Sequence, residues 1–311
     1  MRTHHVKAHD NTPRGSQSGQ ALVLVALLMI GLVAVLGLVL DGGNMYLHRR
    51  RMQNAADAGA IAGARVFCLG GTESEVWSVV HEYTVQRNQA QSFDLTLGGS
   101  AEDEASVEVV AHTDVPMTFT RVVGINQASV SAEAESMCGP AGAVGGLAPI
   151  SIREHSYVIG EEYTIWDTEE EMDPAGGNLS GSNRGWLSLA CVYPDDCTNG
   201  AQELKSWMHT GYPGIIEADD WVRPASGEMA AVIQQAFPGQ RLLMPVFRVL
   251  RDYPNAGDKP FYHIVAFAAF DVSYVFATGS PKGIRGTFVR AVAAGPIGGA
   301  GGGLRAVRIV R

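Results

Sequence analysis

Four cysteines, several acidic runs and scattered histidines are the residues of this chain with the most obvious chemistry. Cys68, Cys138, Cys191 and Cys197 form an even set without Cys-x-x-Cys spacing. Cys191 and Cys197 flank the turn-rich Val-Tyr-Pro-Asp-Asp, which in an oxidising compartment makes a small disulfide loop; Cys68 and Cys138 are a second candidate pair. Cys191 and Cys197 could in principle ligate zinc with His209, but their spacing favours the disulfide. Glu169, Glu170 and Glu171 read as a solvated loop face. Asp195-Asp196 and the group Glu217, Asp219, Asp220 lack the alternating acids of a calcium loop. Asp271-Val-Ser273 begins like the Asp-x-Ser-x-Ser metal motif of von Willebrand A domains, yet Val275 stands where the second serine ligand is required. His4, His5 and His9 lie in a polar tail that reads as a disordered flank.

Gly-x-Ser-x-Gly, a Walker A loop, a Gly-x-Gly-x-x-Gly opening a helix and His-Glu-x-x-His are all missing from the sequence. The expectation is a protein that is not an enzyme, with no catalytic, cofactor-binding or metal-ligating residues. Paired carboxylates assembled in three dimensions would be the exception.

The chain has 311 residues, 46% hydrophobic and 18% charged, so it can bury a sizeable core. Its net charge of −9 conceals a polarity. Residues 1–65 carry seven Lys/Arg against three Asp, a net of +4, while the rest carry 16 basic and 29 acidic residues, a net of −13. A basic end on an acidic body points to a membrane or polyanion at that end. The body has the wrong sign for phosphate neutralisation, so nucleic acid is not an expected partner.

Residues 21–40 read ALVLVALLMIGLVAVLGLVL, without charge, Pro or a side-chain hydrogen-bonding group. At ~1.5 Å per residue such a helix spans roughly 30 Å, the thickness of a bilayer core. The run exceeds the ~7–15 apolar residues of a cleaved signal and Leu40 to Tyr46 offers no Ala-x-Ala, so it reads as an uncleaved signal-anchor in a single-pass protein. Three Lys/Arg precede the span and Arg49, Arg50 and Arg51 follow it, a tie under the positive-inside rule. All four cysteines lie after the span, which favours the C-terminal body outside.

Beyond the span, Asp41 can cap a new turn and Gly42-Gly43 permits a bend. Residues 41–65 then continue as a helix of small residues. Ala55, Gly59 and Gly63 fall four apart on one face, where another backbone could approach closely, either a partner's or the chain's own sheet. High intrinsic propensity alone would also explain such an Ala-rich helix.

Residues 66–139 read as an α+β module. A helix over 74–88 starts at a capping-like Thr72, Ser74 and Glu75, and strands follow over 92–97, 105–112, 115–123 and 127–135. A Gly-rich linker over 140–147 leads to a β-rich α+β domain over 148–311. Its strands are expected over 187–192, 242–250, 262–274, 286–292 and 304–310, and its helices over 203–209 and 226–237.

Gly19-Gln-Ala-Leu-Val-Leu-Val-Ala-Leu-Leu, then Leu40-Asp-Gly-Gly-Asn-Met-Tyr-Leu-His-Arg-Arg-Arg-Met-Gln-Asn-Ala-Ala-Asp-Ala-Gly-Ala-Ile-Ala-Gly-Ala-Arg65, resembles the N-terminal region of TadE/TadG-like Flp pilus-assembly proteins. The likeness is specific because it fixes polar positions as well as apolar ones. Residues 109–134, with Phe119-Thr-Arg-Val-Val-Gly124 inside, are similar to the pilin-like continuation of that group. Gly185-Trp-Leu-Ser-Leu, Glu203-Leu-Lys-Ser-Trp, Pro245-Val-Phe and His263-Ile-Val-Ala-Phe-Ala resemble C-terminal extensions of some members. Two departures stand out. Leu24 occupies the fifth position after Gly19, where true Flp pilins carry the Glu of the prepilin-peptidase signal. The broken motif at Asp271 also argues against the von Willebrand A domain of longer members.

The resemblance implies a single-pass inner-membrane protein. Its tail, residues 1–20, would be cytoplasmic, its transmembrane α-helix 21–40, and its pilin-like module and β-rich domain outside. It would serve as a non-catalytic structural or accessory component of a Flp/Tad-type pilus assembly and secretion system, with the lipid bilayer and other pilus-assembly or pilin-like subunits as partners. The alternative is an anchored extracytoplasmic module binding cell-envelope or surface ligands unrelated to pili. An envelope hydrolase would require paired acids or a nucleophile–His pair in the second domain.

Overall fold

The computed structural model describes residues 18–100, 104–154, 157–166, 185–195, 197, 199–225, 230–248, 261–279 and 282–310. The tail with its three histidines, the acidic run 169–171, Asp196, the start expected for a helix at 226 and the end expected for a strand at 249–250 lie outside the described residues. The chain divides into two compact units, one of residues 1–50 with 113–130 and one of residues 51–112 with 131–311.

A single helix, α1 (Ser18–Cys68), carries the apolar run. Its most apolar stretch has a mean hydropathy of 3.2 and is long enough to cross a membrane. In the first unit it runs on through Asp41, Gly42 and Gly43 without the bend that the two glycines would permit. Interior glycine costs a helix only ~1 kcal/mol apiece, and the Asp41 side chain is committed elsewhere, as described below. The other part of this unit joins the end of β2 (Ala105–Pro116) to the start of β3 (Gln127–Pro140) through a 3₁₀ turn, Thr120–Val123. The strand expected over 115–123 therefore stops at Pro116.

In the second unit the C-terminal part of α1 lies on a sheet with strand order β1-β2-β3-β14-β13, where β1 is Ser92–Gly99, β13 Ala291–Ala293 and β14 Leu304–Ile309. Helix α2 (Glu73–His81) starts on a true capping box between Thr72 and Glu75 and continues as a π-helical segment, Glu82–Arg87. Alternate residues of β2 are buried, among them Ala105, Val107, Val109 and Ala111, as a one-faced strand requires. The final strand, β14, pairs antiparallel with β3 through Cys138↔Val307 and parallel with β13.

The seven-stranded sheet holds β5 (Ile152–Arg153), β6 (Glu162–Trp166), β7 (Leu187–Val192), β9 (Trp221–Pro224), β10 (Arg241–Arg248), β11 (Tyr262–Phe276) and β12 (Gly283–Val289). Its centre is β11, paired antiparallel with β10 and β12 and buried along nearly its whole first half. That explains the unbroken apolar run of residues 264–270. Phe247, Phe267, Phe270 and Phe288 are its largest fully buried side chains. Helix α3 (Ala201–Thr210) adds Leu204, Trp207 and Met208 to this core, and the short α4 (Ala230–Ile233) adds Val232 and Ile233. Residues 140–147, expected as a free linker, instead carry β4 (Ala143–Gly145), which pairs with β8 (Ile215–Glu217) and buries Ala141, Val144 and Leu147.

Candidate functional site

The residues of α1 that stood out in the sequence fall into three contacts. The first lies in the unit of residues 1–50 and 113–130. The Asp41 carboxylate accepts three successive backbone N–H groups. Thr118 donates to Oδ1 at 3.0 Å, and Phe119 and Thr120 donate to Oδ2 at 3.0 and 2.7 Å. Asp41 is almost fully buried there. One turn earlier, Gly37 lets the loop come close, because a Cβ at that position would sit 2.5 Å from the Phe119 Cβ. The 3₁₀ turn beyond Phe119 ends at Gly124, whose φ of 91° few side chains tolerate. Ile30, Val33, Ala34 and Leu38 of α1 form a groove of about 490 Å³ with Phe119, Thr120 and Val122.

The second contact, within the larger unit, involves Gln53 and Asp57. Gln53 Nε2 donates to Asp57 Oδ1 at 2.8 Å and to the Glu133 carbonyl on β3 at 3.1 Å. The amide thus links one helical turn to the sheet.

The third is the small-residue face. Met52, Ala55, Ala56, Gly59, Ala60, Gly63 and Ala64 are all buried, a stripe at helical spacing. Methyls added at Gly59 and Gly63 would sit 2.6 Å from Thr84 Cγ2 and 2.8 Å from Val80 Cγ2, with Val107 Cγ1 3.0 Å from the second. Gly59 and Gly63 therefore pack on the chain's own α2, the π-helical segment after it and β2, with Ala55 buried on the same stripe. Of the two packing arrangements the spacing allowed, this is the internal one. The stripe ends at Cys68, which is bonded to Cys138 on β3.

The other chemical candidates are occupied by structural duties. Cys191 is bonded to Cys197, while His209 Nδ1 lies 3.4 Å from the Gln235 carbonyl and its ring meets Phe237. Asp271 forms a two-point ion pair with Arg241 across β10 and β11, at 2.6 and 2.8 Å. Ser273 bonds Glu162 and the Arg285 carbonyl. Asp220 accepts from the Glu217 N–H in a turn. Sequence reasoning missed two His–Asp pairs among the described residues: His112 with Asp94 at 2.9 Å across β1 and β2, and His263 with Asp219 at 3.0 Å, stacked on Trp221. The partners are 18 and 44 residues apart in sequence, so no local pattern flags them. His263 Nδ1 is buried without a hydrogen-bond partner among the described residues. Among the described residues no three His, Cys, Asp or Glu converge as a metal site would require.

A helix with an apolar, exposed first half and a second half docked on an α+β layer, followed by a β-rich region, is the class of protein these contacts define. Residues 19–66, all within α1, match the family model described as Flp pilus-assembly TadE/G-like. No curated protein and no solved structure matches the chain.

Proposed function

We propose that this chain is a membrane-anchored, non-catalytic structural or accessory component of a Flp/Tad-type pilus assembly and secretion system. The observation that carries the reading is the family match over 19–66, on a helix whose residues 21–40 are apolar and exposed. Residues 21–40 cross the inner membrane once, residues 1–20 lie in the cytoplasm, and the pilin-like and β-rich parts lie outside. The two disulfides fit an oxidising compartment. Because Ala55, Gly59 and Gly63 are spent on internal packing, pilin-like partners engage some other surface of the protein.

Among the described residues no hydroxyl or thiol bonds the ring-stacked His263 of the His263–Asp219 pair, which weighs against a hydrolase. A cleft lined by Trp207, His209, Gln240 and Arg241 holds about 180 Å³, less than the ~300–1,000 Å³ usual for small-molecule sites. Deleting the gene, imaging surface pili and measuring secretion tests the proposal. Loss of pili or secretion, restored by the wild-type chain, is expected; unchanged pili and secretion overturn it. For the topology, alkaline phosphatase fused after Arg311 should be active, and an active cytoplasmic reporter at the same place would reverse the orientation.

A further inference from the structure

We infer that the loop of residues 117–126 inserts into the outward leaflet of the bilayer beside the anchor helix, with lipid acyl chains filling the groove between them. The inference rests on the anchoring reading above and adds a second element at membrane depth. Three observations carry it.

The first is depth. Phe119, Thr120 and Val122 share one groove with Ile30, Val33, Ala34 and Leu38. The helix side of the groove runs from Ile30 to Leu38, about 12 Å at ~1.5 Å per residue, and its far end at Ile30 lies about 15 Å in from Leu40. A loop lining that groove stands alongside the apolar helix and not beyond its end.

The second is the backbone. Non-helical chain is tolerated in hydrocarbon only where its polar groups find partners within the protein. Here Asp41 accepts from Thr118, Phe119 and Thr120. Met117 N–H donates to the Asn126 carbonyl, Val122 to Phe119, Gly124 to Arg121 and Ile125 to Thr120. The carboxylate sits one residue past the span, close enough to the interface to remain charged while satisfying groups deeper in. A loop facing water would need no such provision.

The third is the outward surface. Val122 is 89% exposed, Ile125 51% and Phe119 39%. Residues 115–132 contain one charge, Arg121, whose long stem can lie along apolar surface while the guanidinium reaches anionic headgroups. Lipid is favoured over a partner's helix because close helix packing in membranes uses small residues. Of the small positions on this face, Gly37 is already filled by Phe119, and Ala34 stands between the larger Ile30, Val33 and Leu38.

The test uses the full chain in vesicles of phosphatidylcholine and phosphatidylglycerol. Val122→Cys carries an environment-sensitive fluorophore, and Leu28→Cys is the control for the span. Both sites are exposed, so neither exchange disturbs packing. Quenching by doxyl groups on the acyl chains should be within about twofold at the two sites, with little quenching by aqueous iodide at either. Adding Asp41→Ala should free the loop and raise iodide quenching at Val122→Cys while leaving Leu28→Cys unchanged. If Leu28→Cys reads lipid but Val122→Cys reads water, the loop inference falls and the anchor stands. If Leu28→Cys itself reads water, the anchoring reading falls. Protection of Val122→Cys from both quenchers, with cross-linking to a second copy, would replace lipid by a partner helix and also overturn the inference.

Discussion

Asp41 shows how one side chain can join two parts of a chain far apart in sequence. A carboxylate at that position in a helix interior gains nothing from its own helix, whose N–H groups are already paired. Its three acceptor contacts are all to residues 77 or more positions away. Asp41→Ala should leave α1 helical and speed amide exchange of Thr118, Phe119 and Thr120 by about tenfold or more. Exchange rates equal to wild type would show that the three bonds do not hold the loop. Gly59 and Gly63 make the converse argument, since their value is the side chain they lack. Gly63→Leu must displace Val80 and Val107, and should cost roughly 1–3 kcal/mol in thermal or denaturant unfolding. Leucine's better helix propensity returns only ~1 kcal/mol of that. Glu75 adds a pH dependence. The Thr72 backbone N–H, and then its hydroxyl, hold the Glu75 carboxyl below its ordinary value. A depressed carboxyl stabilises the fold above its unfolded pKa, and that contribution disappears as pH falls through the folded one. The Glu75 titration followed by NMR should therefore have its midpoint below ~4.3, and Thr72→Ala should raise it towards that value.

Among the elements, the helix–sheet joint is the one most tightly specified. The Cys68–Cys138 bond spans 70 residues of sequence, and a loop of that length contributes about 4 kcal/mol on a chain-entropy view. Replacing both cysteines by serine should lower the unfolding midpoint of the second unit clearly, whereas Cys191→Ser with Cys197→Ser, a separation of 6, should lower it by less. Equal effects would count against this assignment. The same joint was partly legible beforehand. The stripe Ala55, Gly59, Gly63 announces close approach, and Thr72 with Glu75 announces the start of α2. Neither says which surface comes close, because small residues permit contact without choosing it. The strand expected over 115–123 failed for a related reason. Phe119, Val122 and Val123 have β-prone side chains, but Pro116 ends the ladder and a distant acid captures the N–H groups of Thr118, Phe119 and Thr120. In the second unit β7, β10 and β11 were readable from apolar runs. The short β4, β5, β8 and β9 were not, because two to four residues give too little periodicity to see.

At the level of the entire larger unit, the last strand contradicts the picture of two independent domains joined by a linker. β14 comes from the C-terminal end, yet it lies between β3 and β13 in the sheet on which α1 packs. Its Leu304 and Ala306 are 1% and 0% exposed. A sheet completed by a strand from so far along the chain cannot be closed by residues 66–139 alone, because β3 would then present an open edge. Ending the chain at Gly303 should consequently destabilise both parts of the unit together. Loss of a buried leucine alone costs roughly 2–5 kcal/mol, and at ~2–4 °C per kcal/mol for a unit of this size the midpoint should fall by about 10 °C or more once the ladder is also lost. Protease sites in β3 should open at the same time as sites in β11, since one cooperative body is being loosened. A shortened chain that kept the wild-type midpoint, or lost protection only after residue 148, would restore the two-domain view. It would also leave the α+β layer free to act as a separable pilin-like module.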